Sequence, residues 1–408
     1  MSEHAVAATL SLDEAPRLEV ERLDGARVRL LVAGVAALGL AALGLLSDPR
    51  QLLHSYLTAY VYWTTLALGA LFMVLVHHAT KAGWSVTVRR PAEALATSFP
   101  LLALLFLPVL LGMHELYHWT HHDAVAADPV LAGKAGYLNQ PFFVLRAIVY
   151  FSVWSALGRY FYRLSVAQDR SADPELTKRM EWWAPLGILA FALTLTFAAF
   201  DWLMSLDPHW YSTIWGVYVF AGAAVGGFAL LGLVSVALVH SGAVGRDLIR
   251  TEQLHDLGKW VLAWVIFWAY IAFSQFMLQW YGNLPEETVF YHHRWHGGGV
   301  WRALSVLLIA AHFCLPFLFL LGRWSKRREA FLAVACGWML VMHYVDIYWI
   351  VMPNYHGEAG LKLGTDLLTL AGIGCLVAAW VLKRLRGQAL VPVGDPRLPE
   401  ALRYDTGV

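Results

Sequence analysis

The chain has 408 residues, of which 59% are hydrophobic and only 14% charged, with 19 Trp and a net charge of +1. Soluble domains carry about 25% charge, so this composition is that of a polytopic membrane protein, without the basic surplus of a nucleic-acid binder. Cys314, Cys336 and Cys375 all fall within apolar runs, and there is no CxxC or CxxCH, which excludes an attached c-type haem or an iron–sulfur cluster of the chain's own.

Residues 1–27 are mixed and charged, lack the pattern of a signal peptide and read as a cytoplasmic tail. Ten apolar runs follow, each near the length of about 20 residues that a spanning helix needs. They cover 28–46, 57–77, 95–113, 142–163, 182–203, 213–240, 259–280, 300–321, 330–352 and 366–386, and a second tail runs over 387–408. The predicted fold class is therefore an all-α membrane domain over 28–386. The sixth run carries Gly222, Gly226, Gly227 and Gly232, a spacing that lets helices approach closely.

Lys and Arg set the orientation. The amino tail, the loops after the second, fourth, sixth and eighth runs, and the carboxyl tail hold most of them, including Lys81, Arg89, Arg90, Arg163, Arg246, Arg327 and Arg384. The other side holds Arg50, Lys134, Arg146, Arg294, Arg302 and Lys362. Both termini are expected in the cytoplasm. Arg159 lies inside the fourth run, near enough its inner end to snorkel.

The outer loops carry the His, aromatic and acidic residues. His114, Glu115, His118 and His122 follow the third run. If the helix continues, the three His share a face. A docking or proton-collecting surface fits them better than a metal site, which lacks a defined carboxylate or Cys set. The fifth run ends in Asp201-Trp202, then Asp207-Pro208-His209-Trp210. Asp201 either caps a helix or handles a proton, and the Trp residues suit an interfacial belt. In the ninth run His343 and Asp346, three apart, share a helix face and could form a charge-assisted pair. Within hydrocarbon lie Gln275 and His312. His312 and His343 stand at comparable depth, which would formally suit a bis-His haem, but only one such pair is present. His77 and His78 close the second run, where they are either snorkelling interface residues or the cytoplasmic mouth of a proton path.

A weak repeat is visible. Asp201 precedes Pro208 by seven residues and Asp346 precedes Pro353 by seven, with His209 and His356 following. Runs two to five (57–203) and six to nine (213–352) thus read as two related four-helix bundles, with the first and tenth runs peripheral.

The segment FAAFDWLMSLDPHWYSTIWGVYVFAG, with HELYHWTHHD before it and QWYGNLPEET and WHGG after it, resembles the ActF subunits of alternative complex III, within the wider NrfD-like or polysulfide-reductase membrane-anchor family. The likeness covers about residues 28–386. It implies two four-helix bundles and a place in a quinol:cytochrome c or quinol:oxidase oxidoreductase of the bacterial cytoplasmic membrane. It also implies partners: a sister ten-helix subunit resembling ActC, an iron–sulfur subunit, multihaem c-type cytochromes, small membrane anchors and a terminal oxidase. Haem and iron–sulfur centres would belong to those chains, and quinone or quinol would be the ligand shared in the membrane. Asp201, His343, Asp346, Glu115, His118, Gln275 and His312 are then the candidates for quinone or proton handling. Two other readings stand beside this one. One is a structural anchor that docks catalytic subunits. The other is an ion-coupled transporter, for which Pro108, Pro185 and Pro316 are the only candidate helix breaks.

Overall fold

A computed structural model describes residues 12–296, 299–355 and 363–405. His356 and Glu358 of the ninth outer loop lie outside the described residues. Ten helices are long and apolar enough to cross a membrane, and no strand occurs among the described residues. They are α1 (Val20–Leu46), α2 (Pro49–Ala79), α3 (Val86–Leu111), α4 (Gln140–Ser171), α5 (Pro174–Leu206), α6 (Trp215–His240), α7 (Thr251–Gly282), α8 (Gly299–Leu321), α9 (Glu329–Asn354) and α10 (Leu363–Leu385). Several begin by local chemistry that the sequence dictates. Asp48 caps α2 by accepting from Gln51 N ahead of Pro49, and Asp173 caps α5 by accepting from Glu175 N ahead of Pro174.

α2 and α6 form the centre and are the most enclosed of the ten. Each packs against the other, and each touches both α5 and α9, so the two central helices occupy equivalent places in the two bundles. Their crossing rests on glycine. A Cβ on Gly69 would lie 2.0 Å from the Ala223 carbonyl oxygen, and Gly227 backs onto Gly69 itself. Only two glycines allow that approach, and no larger residue fits without separating the helices. α1 and α10 pair with each other at the periphery, and α10 also leans on α2. Lipid-facing side chains such as Leu189 and Leu193 on α5 and Val334 and Val341 on α9 are exposed, as a bilayer-facing surface requires.

Both chain ends lie at one end of the bundle. Leu390 N donates to Pro16 O at 2.8 Å, and Arg386 pairs with Asp24 at 3.0 Å. The segment after α10 is folded onto this end, burying Leu390, Val391, Leu398 and Ala401. The third helix begins at Val86, nine residues before its apolar run, and the extra turns carry Arg89, Arg90 and Glu93, all fully buried. Arg89 reaches Glu93 at 2.5 Å and Asp395 at 2.8 Å, and Arg90 reaches Asp169 at 2.6 Å. These residues therefore form a buried ion-pair network and are not a solvated loop.

Candidate functional site

His77 belongs to that network. Its Nε2 lies 2.5 Å from Arg89 Nη1, and its Nδ1 bonds Ser85 Oγ. A guanidinium N–H only donates, so Nε2 accepts and the ring proton sits on Nδ1, towards Ser85. His78 is also fully buried, stacked on Phe161 at 5.4 Å. Both rings are packed inside the protein and do not extend to its surface, and His77 is held as a neutral acceptor. Buried in this way, both are poorly placed as a proton mouth.

At the opposite end, the third helix stops at Leu111 and the chain turns, so His114, His118 and His122 do not share a helical face. His114 stacks instead on His121 at 3.9 Å, and His118 is exposed. Glu115 pairs with Arg50 at 2.9 Å. In the neighbouring loop His209 bonds Asp128 at 2.5 Å, and that bond holds the Asp128 carboxyl below the usual carboxylate range. No group of three or more His, Cys, Asp or Glu that could hold a metal ion occurs among the described residues.

Asp201 is fully buried and fully compensated. Arg146 of α4 meets it with two hydrogen bonds, Nε to Oδ2 at 2.8 Å and Nη2 to Oδ1 at 2.9 Å, and Tyr150 OH adds a third at 2.7 Å. Tyr137 and Phe142 cover the guanidinium at 3.9 and 4.3 Å. A carboxylate held by a bidentate arginine is a fixed charge pair. Asp201 is neither a free cap nor an open proton site.

Asp346 is as deeply buried, yet among the described residues no cation pairs with it. Tyr218 of α6 donates to Oδ1 at 2.5 Å, and Trp268 Nε1 of α7 donates to Oδ2 at 3.1 Å. The expected His343–Asp346 hydrogen bond does not form. His343 Nε2 is instead 2.9 Å from Thr65 Oγ1 of α2. The Thr65 hydroxyl gives its one hydrogen to Tyr62 O at 2.8 Å, so His343 Nε2 is the donor. Nδ1 is left as a bare acceptor, buried and without a partner. A Cβ built on Gly222 would lie 3.3 Å from this Nδ1 and 3.7 Å from Asp346 Oδ2. The glycine thus keeps open the space that the two groups share. Gly226, one turn on, lies against the other edge of the same imidazole.

His312 completes the group from α8. Its ring lies on Trp268 with centroids 3.8 Å apart, and both ring nitrogens are buried without partners. It sits inside a π-helical turn, Leu308–Cys314, a local widening that displaces one residue from the regular helix and recurs at functional sites. Tyr218, Trp268, His312 and Asp346 therefore come one from each helix of the second bundle, with His343 beside them. Gln275 lies two helical turns beyond Trp268 on α7, where it accepts from Ser212 Oγ at 2.5 Å, and it does not reach Asp346. Nearer the loop, Arg294 caps the end of α9 by donating to Trp349 O at 3.0 Å and Ile350 O at 2.8 Å. Burial pulls its guanidinium down to about 9.

Two features of this region escaped the sequence. Tyr218 and Trp268 looked like ordinary members of apolar aromatic runs. Asp366, at the start of α10, is buried and accepts from Ser55 Oγ at 2.5 Å. An acid inside an apolar run was visible there and signals a polar contact.

No protein-family profile matches the chain, and no curated protein matches it. What the helices establish is an integral, multi-pass membrane protein.

Proposed function

We propose that this chain is a membrane subunit of a quinol-oxidising respiratory complex, of the quinol:cytochrome c or quinol:oxidase type, and that its second bundle handles protons at Asp346. The observation that carries the reading is the contrast in compensation: a fully buried acid with no cation among the described residues, and a fully buried imidazole nitrogen with no hydrogen lining the same space at Gly222. An ionisable group inside a membrane without a charged partner manages its charge by exchanging a proton, and such groups are functional by default. Oxidation of a quinol to a quinone releases two electrons and two protons. The electrons would pass to metal centres on partner chains. The protons need an acceptor, and a carboxyl or imidazole supplies one.

In this scheme Asp346 and His343 Nδ1 exchange a proton across the gap at Gly222. Tyr218 and Trp268 hold the carboxylate in place by donating to both oxygens. Trp268 also positions His312, which offers a further unoccupied ring nitrogen. A proton role suits the site better than headgroup binding, because a quinone carbonyl could reach Asp346 only by displacing Tyr218 or Trp268. The expected partners are the sister ten-helix subunit, the iron–sulfur and multihaem cytochrome subunits, the small anchors and a terminal oxidase, in the bacterial cytoplasmic membrane with both termini inside.

The test is quinol:acceptor turnover of the purified complex carrying Asp346→Asn, with assembly verified by haem and subunit content. The expected result is an assembled complex with turnover reduced by about 100-fold or more, the range of general acid–base losses. Full turnover in an assembled complex would leave the anchor reading, for which the locked Asp201–Arg146 pair is the supporting feature.

A further inference from the structure

A cleft of about 250 Å³ opens at the basic end of the bundle, lined by Arg159 and Arg163 of α4 and Arg384 of α10. Three arginines line this one space, and among the described residues none of them pairs with a carboxylate. Arg159 and Arg163 are exposed, one helical turn apart on the same face, where like charges repel. Arg384 lies over the Tyr162 ring at 4.7 Å, and its Nε is buried without a partner. The acids of this region are already committed: Glu93 to Arg89 and Asp169 to Arg90. The chain has thus balanced the charges around the cleft and left the cleft itself positive.

The depth of the cleft points to its ligand. Arg146 marks the opposite interface on the same helix, and from there to Arg163 is about 26 Å at 1.5 Å per residue. That is close to the hydrocarbon thickness of about 30 Å. Arg163 therefore stands at headgroup level, and the aliphatic stem of Arg159, one turn deeper, lets its guanidinium reach out to the same level. Between two transmembrane helices at this level, a basic cleft suits a lipid phosphate, which guanidinium forks bind in bidentate fashion.

We propose that Arg159, Arg163 and Arg384 form a binding site for the phosphate headgroup of an anionic phospholipid, which bridges α4 of the first bundle to the peripheral α10. The ligand neutralises charges that no described residue of the chain offsets and joins two helices at the basic end. This site is independent of the chemistry at Asp346.

The test is thermal unfolding of the purified full chain or complex in detergent, with three additions: phosphatidylglycerol, phosphatidylcholine and inorganic phosphate. The expected result is a rise in Tm of several degrees with phosphatidylglycerol alone. The double variant Arg159→Gln/Arg163→Gln loses that rise, and Arg170→Gln, on the same helix but outside the cleft, keeps it. Native mass spectrometry should show one retained phosphatidylglycerol on the wild type and none on the double variant, a readout that does not depend on stability. An equal rise with phosphatidylcholine, or a rise retained by the double variant, would overturn the site. A rise produced by inorganic phosphate alone would overturn the membrane source.

Discussion

In the first bundle the Asp201 carboxylate receives two guanidinium hydrogens from Arg146 and the hydroxyl of Tyr150; in the second, Asp346 receives one phenol and one indole. Both acids stand near the ends of helices that hold equivalent places, α5 and α9, and each helix closes in a 3₁₀ turn, Met204–Leu206 and Met352–Asn354. Both are fully buried. The first site is a closed charge pair that fixes helices. The second has no guanidinium partner among the described residues and leaves a bare imidazole nitrogen nearby. In the proposed reading, two bundles of one helical plan divide structure from chemistry by the presence or absence of a single arginine.

The largest expected effect falls on the closed pair. Arg146→Gln leaves Asp201 as an uncompensated buried charge, which costs about 3–5 kcal/mol. The subunit should be lost from the assembled complex or melt far earlier, whereas the double variant Arg146→Met/Asp201→Leu should recover much of the stability. If Arg146→Gln melts like the wild type, the contrast between the bundles disappears. Next comes Asp346→Asn, which should leave assembly intact while turnover falls by about 100-fold or more.

Gly222→Ala sharpens the comparison. Its methyl enters the gap between His343 Nδ1 and Asp346 Oδ2, with contacts of 3.1–3.7 Å to the two side chains. Turnover should fall roughly tenfold while assembly and Tm change little. Wild-type turnover in this variant would mean that the two groups do not communicate. Trp268→Phe removes one donor to Asp346 and should cost about 1 kcal/mol of stability, with a larger fractional loss of turnover than of Tm.

The smallest effect concerns the His209–Asp128 bond in the outer loops. Because it holds the Asp128 carboxyl below the usual range, its contribution is present at neutral pH. It is lost as pH falls through that lowered value. Proteolysis of the segment near residues 121–138 should quicken only in acid, and Asp128→Asn should remove most of that pH dependence.

The ten spans were legible because hydrocarbon demands long apolar runs, and run length survives without any knowledge of packing. The exception is instructive. The first turns of α3 were hidden because Arg89, Arg90 and Glu93 look like a loop, and the acids that admit two of them to the interior come from Asp169 and from Asp395 beyond the last span. No local pattern reveals a partner 306 residues away. His343 and Asp346 could be placed on one face of one helix by their spacing. That each bonds to other helices, and that a glycine separates them, depended on the crossing of α2, α6 and α9. The same limit hid Arg146, which looked like a lone outer-side charge until α4 met α5.

Difference infrared spectroscopy of the assembled complex, comparing quinol-reduced with oxidised states, tests the central claim most directly. The expected result is a band from the C=O stretch of a protonated carboxyl that changes on turnover, disappears in Asp346→Asn and persists in Asp346→Glu at a shifted frequency. Asp201, hydrogen-bonded twice by Arg146, should give no such signal. A turnover-linked carboxyl band that survives Asp346→Asn in full, or one removed by a conservative change at Asp201, would contradict it.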